Sequence, residues 1–157
     1  MNTRSLLLTA ALGLGALSAL ANPHRLDDSR SHTVPPNAQM QWTPQTRSDR
    51  DGGMEAHVRV NIHIDTRQWV GHSGRIYMVL PRDEASSIEA VWTTLGRLRS
   101  GRLVSGERSL VFSGTLVGPE LTDQLQMHLR SGPDWQSNSR RLNFHFELDV
   151  DPAPLRP

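Results

Sequence analysis

The sequence predicts an all-β protein: an antiparallel β-sandwich, immunoglobulin-like, of six to seven strands. Apolar and polar residues alternate with a period of two through several short segments, the mark of strands with one buried and one solvated face. Ser-Gly pairs at 73–74, 100–101, 105–106 and 131–132 fall between those segments, where glycine takes turn conformations cheaply. Short, mostly one-sided strands at this close spacing suit two packed sheets.

Residues 1–21 read as a cleavable signal peptide. Arg4 provides a positive start, Leu6 to Leu20 an apolar run, and Ala19-Leu20-Ala21 a small-x-small cleavage pattern. The run of fifteen residues is shorter than the roughly 18 that span a bilayer, and no second run follows. The mature chain is therefore expected to begin at Asn22, to have no transmembrane segment, and to be periplasmic or secreted. No cysteine stands at the cleavage point to carry a bacterial lipid anchor.

Residues 22–53 read as a proline-rich flexible tail, broken by Pro23, Pro35, Pro36 and Pro44 and ending in Ser48-Asp49-Arg50-Asp51-Gly52-Gly53. Met40 and Trp42 are its only residues suited to docking on a domain. The sandwich domain is placed at 54–151. A second short tail, rich in proline, follows at 152–157.

Within the domain, Val58, Val60, Ile62 and Ile64 alternate with His57, Arg59, Asn61 and His63. Phe144, Phe146, Leu148 and Val150 alternate in the same way with His145, Glu147 and Asp149. Further strands are predicted over 75–80, 109–117 and 125–130, where Leu125, Met127 and Leu129 alternate with Gln126, His128 and Arg130, and a short one over 102–104. Gly114, inside a strand, is expected to mark a bulge. Residues 86–95 are ambiguous. Ile88, Val91, Trp92 and Leu95 have helical spacing with a Ser86/Glu89 capping box, but Val91-Trp92-Thr93-Thr94 has β composition. The composition favours a strand, and a short helix is the alternative.

Charge and composition exclude several functions. Lysine is absent, and sixteen arginines face sixteen acidic residues once Arg4 is removed, so the basic excess of a nucleic-acid binder is lacking. Without cysteine there is no thiolate metal site, disulfide or cysteine nucleophile. Hydrolase elbows, zincin helices and phosphate or dinucleotide loops are not found, and no enzymatic activity or cofactor is expected.

Two kinds of binding residue remain. Trp69 and Trp135 lie in polar loops, where tryptophan serves as a recognition anchor for a protein or a glycan; Trp92 is assigned to the core. The alternative is a metal set drawn from the polar faces of the first and last long strands: His63, Asp65, His145 and Glu147, suited to zinc or copper(II). His57 and His63 are six positions apart, roughly 20 Å along a strand, too far to share an ion. The strands at 56–65 and 142–151 are expected as neighbours in one sheet, with their histidines out of register. His24 follows Pro23, which has no amide proton to lose, so an amino-terminal copper motif is blocked.

Gly71-His72-Ser73-Gly74-Arg75-Ile76-Tyr77-Met78-Val79-Leu80-Pro81, then Trp92, then Leu110-Val111-Phe112-Ser113-Gly114-Thr115-Leu116 resembles small β-sandwich modules of bacterial surface and pilus-associated proteins. The resemblance covers about half of the chain after residue 21, and every element in it is degenerate. The cysteine pair usual in chaperone–usher pilins is missing. The resemblance implies an exported, non-catalytic envelope or surface module, binding or structural, with a protein or glycan partner, and it transfers no functional residue. The competing reading is a periplasmic metal-binding protein.

Overall fold

A computed structural model describes residues 22–36, 41–43, 53–82, 88–132 and 143–152. Among these residues ten strands, rather than six to seven, lie in two antiparallel sheets, the all-β class that the alternation predicts. They are β1 (His24–Arg25), β2 (His32–Val34), β3 (Gln41–Thr43), β4 (Gly53–Asp65), β5 (Ser73–Val79), β6 (Ile88–Thr94), β7 (Gly101–Val104), β8 (Arg108–Thr115), β9 (Glu120–Ser131) and β10 (His145–Val150). The smaller sheet has the order β1-β10-β5-β8. The larger has β2-β4-β9-β6-β7, with β3 also paired to β4. The single helical turn described is 3-10, over Arg67–Trp69. No described helix is long and apolar enough to cross a membrane.

Alternation produces one core between the sheets. Val58, Val60, Ile62 and Ile64 of β4, with Leu125, Met127 and Leu129 of β9, face Ile76 and Met78 of β5 and Phe146 and Leu148 of β10. Phe144 and Val150, on the apolar side of the alternation, are only partly buried and pack against it, as does Phe112. Residues 88–94 are a strand, as their β composition favours, and Trp92 is 1% exposed. The Trp92 indole N–H donates to the Arg99 carbonyl at 2.9 Å. A Cβ on Gly101 would lie 2.8 Å from that indole, so the glycine opposite Trp92 on β7 leaves room for the ring.

Three expectations are corrected. The stretch 22–53 is not simply a tail. Its described residues supply β1, on the edge of the smaller sheet, and β2 and β3, which follow one another along one edge of β4. Leu26, just after β1, is 3% exposed in the core. Composition missed this because the free edge of a long strand offers backbone hydrogen bonds to a segment poor in apolar residues. Secondly, β4 and β10 are in different sheets: β4 pairs with β9, and β10 with β1 and β5. Thirdly, the irregularity in β8 is at Val111. Ile76 pairs with Phe112 and Tyr77 with Leu110, leaving Val111 as the extra residue, its side chain turned into the core. Gly114 pairs normally with Gly74, at φ +144°.

If the N-terminal segment belongs to the fold, Leu26→Ala costs about 2–5 kcal/mol, comparable with about 3–5 kcal/mol for Phe146→Ala. Urea denaturation of both variants measures this. A neutral Leu26→Ala would return the segment to the status of a tail.

Candidate metal centre

The outer face of the larger sheet is set by the same alternation that fills the core. Met54, Ala56, Val58 and Val60 point inward, so Glu55, His57, Arg59 and Asn61 point out. Pairing with β9, β6 and the edge strands arranges these positions in rows. Glu55 is opposite Arg130, and Arg130 is opposite Glu89. His57 is opposite His128, which is opposite Val91. Arg59 lies between Val34 and Gln126, and Asn61 between His32 and Gln124.

The histidine row carries groups that can ligate a metal. The His57 and His128 rings stack with centroids 4.2 Å apart and planes inclined by 2°. His128 Nε2 lies 3.0 Å from Glu55 Oε2, the diagonal neighbour across the β4–β9 ladder. One donor atom from each of Glu55, His57 and His128 lies within 4.8 Å of the other two. Donors around a tetrahedral zinc stand about 3.3 Å apart when metal–nitrogen bonds are about 2.0–2.1 Å. His57 is exposed and the other two are half-buried, so their side chains have room to rotate toward that spacing. Two imidazoles and one carboxylate suit zinc or copper(II).

A cleft of about 570 Å³ opens beside this trio, floored by His57, Arg59, Gln126 and His128 and flanked by Val34 and Pro35 on one side and Val91 on the other.

Comparison with protein-family models, with curated proteins and with solved structures finds no match to the chain.

The metal set expected from the sequence is not assembled. His63 is on β4 and His145 on β10, in different sheets. His145 Nε2 instead meets Glu147 Oε1 at 3.1 Å on the smaller sheet, beside Arg108, whose guanidinium reaches Asp149 and lies 4.1 Å from the centre of the Tyr77 ring. His63 Nδ1 is 3.5 Å from Glu120 Oε1, and the His63 backbone N–H donates to Ser31 Oγ at 2.8 Å. Asp65 is fully engaged by Arg67, through the guanidinium and the backbone N–H. Trp69 packs half-buried on the core, with the His24 ring 4.6 Å away. Trp135 lies outside the described residues.

His63, Asp65, Asp27, Glu120, Arg30 and Arg67 line a second, smaller hollow. Here each strong donor already has an acceptor: Arg67 binds Asp65, and Arg30 binds Glu120. Asp27 and Asp65 also form an isolated backbone bridge, so the hollow clasps the N-terminal segment to the end of β4. Hydrogen bonds from the Arg67 side chain and then its backbone hold the Asp65 carboxyl down at about 2. That is below the roughly 3.9 of an unfolded aspartate, so its contribution to stability is complete above about pH 4 and is lost as pH falls through about 2. Asp65→Asn is therefore expected to lower the urea midpoint at pH 7 and to have little effect at pH 2. A deficit of equal size at both pH values would show that charge is not what Asp65 contributes.

Proposed function

We propose that the chain is an exported, non-catalytic β-sandwich module that binds a divalent transition-metal ion on the outer face of its larger sheet. The convergence of Glu55, His57 and His128, with donors within 4.8 Å of one another on a rigid ladder, carries this reading. Both supporting strands are regular at this point, so the three Cα positions are fixed before any ion arrives, which reduces the ordering cost of binding. The signal-peptide pattern of residues 1–21 supports export. Metal binding is the alternative reading of the sequence transferred to a different trio. The protein- or glycan-anchor reading rested on Trp69, which is packed on the core, and on Trp135. Among the described residues, the rows of the outer face from Glu55 to His63 carry no aromatic ring other than imidazole.

Calorimetric titration of dialysed protein with zinc chloride at neutral pH is expected to give one ion per chain, with protons released where an imidazole gives one up. Zinc at a hundredfold excess over its Kd should raise the unfolding free energy by about 2.7 kcal/mol. Both effects should vanish in the His57→Ala/His128→Ala double variant and persist in His145→Ala. Absence of binding by the unsubstituted protein, or binding that survives the double substitution, would overturn the assignment.

A further inference from the structure

Two of the metal trio, His57 and His128, line a cleft that also contains a cation. Arg59 follows His57 by two residues on the same face, about 7 Å along the strand. Among the described residues it forms no ion pair, as is also true of Arg25, Arg82, Arg97 and Arg99; what sets Arg59 apart is its place in the cleft lined by His57 and His128. Beside it in the cleft is the Gln126 side chain, opposite in register. The two walls are apolar. Val34 and Val91, 40% and 38% exposed, are two of the five large hydrophobic side chains most exposed among the described residues. They sit on β2 and β6, which lie on either side of the β4–β9 pair.

Three protein donors leave a fourth tetrahedral position open, and on an open sheet face that position points away from the strands. A divalent ion balanced by one carboxylate, Glu55, leaves a net positive charge. Arg59 adds a second positive charge in the same cleft. Such a site attracts an anion with two oxygens, one for the metal at about 2.0–2.2 Å and one for the guanidinium at about 2.7–2.9 Å. A carboxylate bridges that span. The rest of the ligand then lies between Val34, Pro35 and Val91, which favour a short, branched apolar body over a polar one.

Building on the metal reading, we infer that the loaded site takes a small-molecule carboxylate with a branched apolar body, its carboxylate bridging the ion and Arg59. The ligand is recognised by charge at one end and by shape at the other. The metal does no redox or group-transfer chemistry in this role.

The test is titration of isovalerate into zinc-loaded protein and into zinc-free protein, in a buffer without carboxylates, with isovaleramide as the uncharged control. Isovalerate is expected to bind the zinc-loaded form only, and isovaleramide neither. Arg59→Gln should keep zinc affinity and stoichiometry, which also shows that the variant is folded, and should weaken isovalerate by about tenfold or more. Val91→Asp should weaken isovalerate more than acetate. If zinc binds but isovalerate does not, or binds Arg59→Gln as well as the unsubstituted protein, the inference fails and the metal site stands. If zinc itself does not bind, both fail.

Discussion

The β4–β9 ladder is the interaction on which the rest of the structure depends. Twelve residue pairs, from Met54 opposite Ser131 to Asp65 opposite Glu120, run in unbroken register. Because side chains alternate strictly, this one register decides two things together. It sends Val58, Val60, Ile62, Ile64, Leu125, Met127 and Leu129 inward as the floor of the core. It also brings His57 opposite His128, with Glu55 diagonal to His128 and two residues before His57 on the same strand. A slip of one residue would exchange the faces, exposing the aliphatic row and burying imidazoles and carboxylates without partners. The core thus enforces the geometry of the site, and the site needs no stabilising device of its own.

The remaining elements are arranged around this ladder. On one side β6 continues the sheet from β9, and the loop after it is tied back to β9 through Asp123, which accepts hydrogen bonds from the Thr94 hydroxyl and the Leu98 N–H, both at 2.7 Å. On the other side β2 and β3 share the free edge of β4. At the end of the ladder buried Thr66 donates its hydroxyl to the Gly118 carbonyl at 2.7 Å, locking the turn after β4 to the turn before β9. The chain has no cysteine, so no disulfide adds to these hydrogen-bonded corners and the packed core.

The fold class, and most of the long strands, were legible because period-two alternation is a local property. Each of Val58 to Ile64 and Phe146 to Leu148 reports its own face without reference to any other segment. Pairing is not local. Nothing within residues 56–65 says whether the neighbour is 120–131 or 145–150, and both have suitable alternation. The N-terminal strands were illegible for a related reason: β1, β2 and β3 are two or three residues long and are held by edges that only the folded sheets provide. Val111 was hidden too, because a bulge appears in the register of two strands and not in the composition of one.

The site was visible in pieces. His57 and His128 each occupied a polar position of a predicted strand, but the distance between them is a matter of register, and without it His63 and His145 were equally eligible. The structure separates these candidates by saturation. Where an acid meets arginine, as Asp65 meets Arg67 and Glu120 meets Arg30, its charge is already answered, and the cluster acts as a clasp. Glu147 and Asp149 are similarly committed to Arg108. Glu55 is bonded to an imidazole, a partner that becomes a co-ligand when an ion arrives, and the second imidazole is stacked on the first. An ion entering the clasp at Asp65 and Glu120 would have to displace arginines. At His57 and His128 it displaces at most the proton shared with Glu55.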